Sequence, residues 1–501
     1  MKNSAFIISA CIVFFISIFG FLYPLEMQVM MNEILHKVND GFGWFYVLST
    51  AIFIGFCFFL GFGPFRHMKL GNPDEKPEYS YYTWIGMLFA AGMGVGLVFW
   101  GVAEPISHYY APPPGVEAQS QQSAELGILY GVFHWGLHPW AVYAVVALGL
   151  AFAKFRKNLP GLISSAFFPL FGRKVFGPLG KTIDITAIVC TTVGIATSFG
   201  LSTLQISGGL EQLTSLDNTP LLQISIIGFI TIIFITSVIS GINQGMRYLS
   251  IINLTIACFL LFMVIILGPT LFIMEHFTKT LGSYISNFVT LSFFTTPYTD
   301  NLWIGNWTFF YWAWVISWSP FVGTFIARIS RGRTLQEFIL GVLFVPTLLT
   351  IVWFVAFGGT ALFYEIKGVS NISSQVYTQP ETGLFLMLNQ LPFGSMLSIL
   401  ALFLICIFFI TSANSATYVL GVFSSKGSLS PKNIVLVIWG VLISAIAAAL
   451  LFSGGLQGLQ ALAIISALPF TFIILLMIVA VYKSLRREGI RKDQVEEKEE
   501  W

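Results

Sequence analysis

The feature that most constrains this chain is a series of apolar segments, each about as long as a lipid bilayer is thick. A hydrocarbon core of ~30 Å needs ~20 apolar residues in an α-helix. Polar connections separate twelve such segments, at residues 5–23, 43–62, 83–103, 124–152, 182–206, 220–240, 248–275, 306–329, 336–363, 392–424, 433–454 and 457–482. The sequence therefore predicts an all-α polytopic membrane protein with twelve transmembrane helices.

The positions of lysine and arginine predict how the chain is oriented. Cytoplasmic connections carry an excess of both residues. If the N-terminus lies inside, the inner loops and tails hold 22 of the 25 basic residues, and the outer connections hold only Lys37, Lys279 and Lys367. This segregation supports the count of twelve, because a wrong count would mix the two sets of connections. We therefore expect both termini to be cytoplasmic.

Composition and motifs exclude several classes of function. Apolar residues make up 56% of the chain and charged residues only 10%. The sparse basic residues lie between apolar segments, so no nucleic-acid partner is expected. The stretch VFGPLGKT at 175–182 has Val175 where a phosphate-binding loop has its first glycine. We expect no ATP-binding subunit, no organic cofactor and no enzymatic activity, because no nucleophile–base pair or metal cluster is evident. Any pumping must therefore use an ion gradient.

Glycines at the centre of the third apolar segment predict a broken helix. Gly92, Gly94 and Gly96 lie in FAAGMGVGLVFWG, and each glycine weakens a helix by roughly 1 kcal/mol relative to alanine. Irregular backbone in a membrane is tolerated only where it is buried in protein or lines a cavity. Transporters built on inverted repeats bind cargo and ions at such breaks. The alternative is a close helix-packing seam of small residues.

Aromatic residues in two segments predict a binding cage. In the fourth segment, Trp135, Trp140 and Tyr143 fall within an arc of about 140° at 100° per residue, and Pro139 loosens the turn between them. Rings in this arrangement hold quaternary ammonium by cation–π attraction. An interfacial aromatic belt or core packing is the alternative. A second wall is predicted on one stripe of the eighth segment, from Trp307, Tyr311, Trp314 and Trp318.

Polar groups inside the apolar segments are few. His134 and His138 are spaced i, i+4 and form a possible metal pair, but no third ligand is evident. Hydroxyls at Thr411, Ser412 and Ser415 suit Na⁺ if they meet freed carbonyls, although each hydroxyl can also bond back to its own helix. No array of carboxylates indicates a proton relay; Glu104 is placed at the outer end of the third segment.

Five stretches resemble the betaine/carnitine/choline transporter family: AAGMGVGLVFWGVAEP, FHWGLHPWAVYAVV, SGINQGMRYLS, FYWAWVISWSPFVGTFIARISRGRT and FFITSANSATYVLG. The similarity runs from about residue 5 to 483. It implies a LeuT-like fold, in which two peripheral helices precede a five-plus-five inverted repeat. It also implies a homotrimer in the bacterial cytoplasmic membrane that takes up a small zwitterionic solute with Na⁺.

The resemblance divides the chain into five parts. Residues 1–82 hold the two peripheral helices and an inner loop, 83–275 the first repeat, 276–305 an outer interfacial helix, 306–482 the second repeat, and 483–501 a short charged cytoplasmic tail. The substrate site is implied at Trp135, Trp140, Tyr143, Gly92, Gly94, Trp314, Val315 and Trp318. A sodium site is implied at Ala90, Met93, Phe408, Thr411 and Ser412, and a second one at Thr197 and Phe321.

Three positions depart from the pattern of this family and leave the cargo open. Val315 stands where a cage tryptophan is frequent, Asn414 replaces a frequent aspartate, and Gly96 stands where choline carriers often have aspartate. The first favours a bulkier or less cationic solute than glycine betaine, and the third favours a zwitterion over an unpaired cation. The alternatives are a symporter for a non-betaine zwitterion, a sodium-independent exchanger of trimethylammonium compounds, and an osmosensory channel or receptor.

Overall fold

The computed structural model describes residues 4–241 and 243–499, with side chains at 4–241 and 248–488. The motif SGINQGMRYLS covers residues 240–250, and its side chains at 242–247 lie outside the described residues. The same holds for the side chains of the predicted tail from 489 onward. Within these limits the chain is helical throughout, and its only β-type pairing is an isolated bridge between Lys69 and Thr334. The predicted all-α class is confirmed.

The helices follow one another with short connections, and several break or change type within one apolar segment. The α-helices are α1 (Ser4–Leu22), α2 (Pro24–Phe62), α3 (Tyr81–Gly92), α4 (Val95–Tyr110), α5 (Gln121–Trp135), α6 (Leu137–Ala151), α7 (Phe168–Phe171), α8 (Pro178–Leu213), α9 (Pro220–Ser240), α10 (Asn243–Leu267), α11 (Thr270–Ser292), α12 (Leu302–Ile304), α13 (Phe310–Ile329), α14 (Leu335–Ile366), α15 (Ser373–Thr378), α16 (Gly383–Leu388), α17 (Gly394–Ser424) and α18 (Asn433–Glu499).

Length and apolarity identify the helices that can cross a membrane. Among the described residues, ten meet both requirements, or eleven if α3 and α4 are counted as one bent span. The last of the ten, Asn433–Glu488, has 56 residues. Its helix is interrupted at Gly455, whose φ of 56° is left-handed. This interruption falls between the predicted eleventh and twelfth segments.

Several helix boundaries differ from the sequence prediction, and two of the differences have a clear cause in proline. The second segment was placed at 43–62, but α2 already begins at Pro24, where proline is favoured in the first turn. The seventh segment was placed at 248–275, but α10 ends at Leu267. Pro269 lacks an amide proton and cannot extend that helix, so α11 starts at Thr270. The outer helix predicted within 276–305 corresponds to α11, which begins earlier, at Thr270, and ends at Ser292.

The helices form a buried centre and an apolar periphery. The apolar windows of the α5–α6 segment and of α8 are 94% and 83% buried, whereas those of α9 and α10 are only 22% buried. At the centre, α13 packs against α6 and α8, and α4 packs against α5 and α14. This packing gathers side chains from the third, fourth, fifth and eighth segments around one space.

A broken helix and an aromatic cavity

The third apolar segment is broken at its centre. α3 ends at Gly92 and α4 begins at Val95, with a bend of 55° between them. Met93 and Gly94 are extended, with φ/ψ of −85°/115° and −152°/170°. The carbonyls in the last turn of a helix lack intrahelical partners, and those of α3 are available at this break apart from that of Phe89, which accepts from the Met93 N–H. The break predicted from the glycines is present.

The three glycines have different surroundings. A Cβ on Gly96 would lie 2.3 Å from Cη2 of Trp135 and 2.6 Å from Cη2 of Trp314, so only glycine lets both indoles approach. A Cβ on Gly92 would lie 3.2 Å from Cβ of Pro346, which is close packing against α14. A Cβ on Gly94 would meet open space. Close packing thus explains Gly92, and contact with two cage tryptophans explains Gly96.

A cavity of about 1140 Å³ lies beside the break. It exceeds the ~300–1,000 Å³ of ordinary ligand pockets. The structure brings all the residues predicted to bind substrate to its wall: Gly92, Gly94, Trp135, Trp140, Tyr143, Trp314, Val315 and Trp318. It also brings there those of the first predicted sodium site: Ala90, Met93, Phe408, Thr411 and Ser412.

The cage rings are held in fixed orientations. Trp135 meets Trp314 edge to face at 5.6 Å between ring centroids, and Trp140 meets Tyr143 in the same way at 5.4 Å. The indole N–H groups of Trp314 and Trp318 both donate to the backbone carbonyl of Gly194, at 3.3 and 2.7 Å. Because α8 anchors both indoles, the α13 wall is rigid.

The fourth segment is also broken, at a place that sequence reasoning missed. α5 ends at Trp135 and α6 begins at Leu137, so the break lies at Gly136 and not at Pro139. Two distant side chains satisfy the freed backbone. The Tyr284 hydroxyl accepts from the Leu137 N–H at 3.1 Å, and the Thr350 hydroxyl donates to the Trp135 carbonyl at 3.1 Å. Both partners lie over a hundred positions away, so local pattern does not reveal them.

The two predicted sodium sites differ in their placement. Thr411 lines the cavity, and its hydroxyl donates to the carbonyls of Ile407 and Phe408, at 2.9 and 3.2 Å, so only the lone pairs of its oxygen remain for a cation. Phe321 of the second site lines the cavity as well. Thr197 does not: its buried hydroxyl donates to the carbonyls of Val193 and Leu459. The packing of α8 against α18 turns Thr197 away from the cavity.

A buried polar network lies directly behind the cage. The carboxylate of Glu104 is wholly buried, with Oε1 at 2.6 Å from Nδ1 of His134 and at 3.4 Å from Nε2 of His108. Its Oε2 accepts from the Tyr311 hydroxyl at 2.6 Å. The proposed pairing of His134 with His138 is not formed, because His138 bonds to Ser292 at 2.8 Å. Glu104 is thus an interior residue and not one at a helix end.

The two ends of the cavity differ. At one end its wall includes Lys154 and the half-exposed Arg328. Arg328 bonds to Glu78 at 2.5 Å, and this hydrogen bond lowers the pKa of the Glu78 carboxyl below its ordinary value. Behind Tyr311 at the other end, Trp100 and Trp307 pack edge to face at 5.5 Å. The cavity therefore opens toward the basic residues and is closed by rings opposite them.

A broken membrane helix beside an aromatic cavity that opens at one end is the arrangement of a secondary transporter. Residues 4–490 match the family model described as BCCT, betaine/carnitine/choline family transporter. The chain therefore belongs to this family, as the sequence motifs indicated. Its relatives are transporters, and it is not an enzyme.

Three named relatives match almost the full length of the chain. The glycine betaine transporter OpuD of Bacillus subtilis is 49% identical over 473 residues, which cover 94% of this chain and 92% of that protein. The ectoine/hydroxyectoine transporter of Virgibacillus pantothenticus is 43% identical over 498 residues, 99% of each chain. Glycine betaine transporter 1 of Vibrio parahaemolyticus is 41% identical over 469 residues, 92% of this chain and 89% of that protein.

Proposed function

We propose that this chain is a Na⁺-coupled symporter that carries a zwitterionic compatible solute into the bacterial cytoplasm. One observation carries the proposal: aromatic rings suited to a cation, and hydroxyls and helix-end carbonyls suited to Na⁺, line the same cavity at a helix break. The names of the relatives point to glycine betaine and ectoine as cargo. Both solutes carry a delocalised or methylated cation together with a carboxylate.

The proposed layout has twelve spans in a LeuT-like arrangement. α3 and α4 form one bent span, and α18 forms two, because 56 helical residues would extend about 84 Å across a core of ~30 Å. Dividing α18 at Gly455 turns eleven spans into twelve. We place five spans in each repeat after α1 and α2, and three such chains in a homotrimer.

Orientation in the bacterial cytoplasmic membrane follows from the distribution of basic residues. Both termini are placed inside, because this choice puts 22 of 25 lysines and arginines there. Lys154 and Arg328 then lie on the cytoplasmic side. Because the cavity extends to both residues, we propose that it opens inward, in the state that releases cargo into the cell.

Sodium is proposed to bind at the break. Ala90 of α3 and Met93 of the break would supply carbonyls to the first site, and Thr411 and Ser412 of α17 would add hydroxyls, with Phe408 on the same cavity wall. The second site is centred on Phe321. Because Thr197 points away from the cavity, Ser198 and Ser202 are the hydroxyl residues by which α8 lines it.

Two ions would supply enough energy for strong accumulation. A zwitterion carries no net charge, so the membrane potential acts on the sodium ions alone. Each Na⁺ that enters gains ~2.3 kcal/mol per 100 mV. Two ions then provide ~4.6 kcal/mol, which corresponds to an accumulation on the order of a thousandfold before any sodium concentration gradient is added.

Sodium dependence is tested by changing both hydroxyls of α17. Thr411→Ala combined with Ser412→Ala is expected to raise the sodium concentration for half-maximal uptake about tenfold, because a bound ion loses two oxygens. Uptake of labelled glycine betaine and ectoine into proteoliposomes, over a series of sodium concentrations, measures the effect. Thr417→Ala is the matched control, since Thr417 is a buried threonine of α17 outside the cavity wall. Equal uptake by the unmodified protein in sodium and in potassium would refute symport.

The second candidate is sodium-independent exchange, and Asn414 favours it. This residue lines the cavity and donates to the Ser237 hydroxyl at 3.0 Å, so it brings no charge to an ion. An exchanger would take up labelled solute only into vesicles preloaded with unlabelled solute, and would do so in potassium as well as in sodium. The same proteoliposomes, with and without preloading, separate the two mechanisms.

A further inference from the structure

An ionisable side chain inside a membrane protein is costly and usually marks a function. Glu104 is such a group: it is wholly buried, lies on α4 two turns past the break, and belongs to neither proposed sodium site. Its carboxylate is not isolated, since it joins α4 to α5 through His134 and to α13 through Tyr311.

The carboxylate of Glu104 has three hydrogen-bonding partners, two histidines and a phenol. With both histidines neutral, N–H groups of His134 and His108 donate to Oε1, and the phenol of Tyr311 donates to Oε2. The remaining nitrogen of His134 then accepts from the Thr308 hydroxyl at 2.9 Å. No lysine or arginine within the described side chains forms an ion pair with Glu104. We take both histidines as neutral, in which case the network holds one negative charge behind the cage.

Tyr311 connects this charge to the cavity. It lines the cavity wall, and its ring meets Trp135 edge to face at 5.6 Å between centroids. A phenol that donates to a carboxylate becomes more electron-rich, and an electron-rich ring attracts a cation more strongly. Glu104 itself lies one ring away from the cargo, so it adds negative potential without occupying space in the cage.

We propose that Glu104, acting through Tyr311, makes the cage selective for the positive group of the cargo. This role rests on the proposed function, since it presumes a cargo with a cationic centre. Glu104 would also attract the cationic group of the cargo toward the wall on which Val315 stands in place of an aromatic ring. Glu104 is in this sense a positioning and polarising residue, because it reaches the cargo only through the phenol.

Two ligands of equal shape and different charge test the proposal. Glycine betaine has a quaternary nitrogen, and 3,3-dimethylbutanoate has a carbon at the same place. Glu104→Gln is expected to weaken the binding of glycine betaine about tenfold and not to weaken that of the anionic 3,3-dimethylbutanoate, which has no positive group for the carboxylate to attract; both are measured by displacement of labelled solute from purified protein. Glu381→Gln is the control, because Glu381 is a buried carboxylate that bonds to Asn218 away from the cavity.

A second variant decides the question even if Glu104→Gln does not fold. Tyr311→Phe keeps the ring and removes the donor, so it should cause the same selective loss of glycine betaine. The double variant should lose no more than either single variant, because both interrupt one interaction. Equal weakening of the two ligands would show a merely structural role and overturn the proposal.

The outcome also separates this proposal from the proposed function. If the unmodified protein binds neither glycine betaine nor ectoine, the proposed cargo class is wrong and the role of Glu104 falls with it. If the unmodified protein binds glycine betaine, and both variants keep the same ratio of affinities for glycine betaine and 3,3-dimethylbutanoate, only the role of Glu104 is overturned.

Discussion

Gly96→Ala is expected to weaken cargo binding between about ten- and hundredfold, although it adds a single methyl group. That methyl would lie within 2.6 Å of the indole tips of Trp135 and Trp314. Neither ring can move away freely, because the Trp314 indole N–H donates to the Gly194 carbonyl and the Trp135 ring packs edge to face against Tyr311. Overpacking of this kind costs ~1–3 kcal/mol, and each 1.4 kcal/mol corresponds to about tenfold in affinity.

Tryptophan fluorescence titration of purified protein with the transported solute measures this loss. Gly86→Ala is the matched control: it lies on α3, outside the cavity wall, and its Cβ would meet open space. Its affinity should equal that of the unmodified protein. Unchanged affinity in Gly96→Ala would mean that the two tryptophans do not form the binding surface for the cargo.

Val315→Trp is expected to change the preference between two cargoes by about a hundredfold. Val315 is buried on the cavity wall, three residues before Trp318 and four after Tyr311, on the same face of α13. An indole there adds a ring, which should tighten a trimethylammonium zwitterion about tenfold. The same indole fills the space that valine leaves open, so a bulkier zwitterion such as ectoine should bind about tenfold more weakly.

Calorimetric titration of the Val315→Trp variant and of the unmodified protein, with glycine betaine and with ectoine, measures the two changes in affinity separately. Trp140→Leu is the control, since loss of a cage ring should weaken both solutes without any selection by size. If Val315→Trp leaves both affinities as they are, position 315 does not contact the cargo. The cage would then consist of the α5–α6 aromatics with Trp314 and Trp318.

The sequence was sufficient to predict those features that depend on the residues of a single segment. Glycine spacing alone indicated the break between Gly92 and Val95, because glycine is disfavoured in a helix and lipid offers the backbone no other partner. The aromatic residues that line the cavity were found for a similar reason. Trp135 and Trp314 are large rings at mid-segment, where neither an interfacial belt nor lipid contact accounts for them.

Local pattern failed where the explanation lies in another segment. Nothing near Gly136 reveals that Tyr284 and Thr350 will satisfy its neighbours, so the break in the fourth segment was placed at Pro139. Glu104 bonds to a residue 207 positions away, and its spacing from His134 is not a known motif. The orientation of Thr197 depended on which helix packs against α8. These are tertiary facts, fixed by packing after the helices have formed.

The closed end of the cavity has a consequence for how the chain responds to temperature. Trp100, Trp307, Tyr311 and His108 are packed ring against ring behind the cage. Passage of cargo through that end would require these rings to separate, and each aromatic pair contributes about 0.5–1.5 kcal/mol beyond its buried area. We therefore expect the reorientation step to have a larger activation enthalpy than cargo binding. Cooling is then expected to slow turnover more than it weakens the binding of cargo.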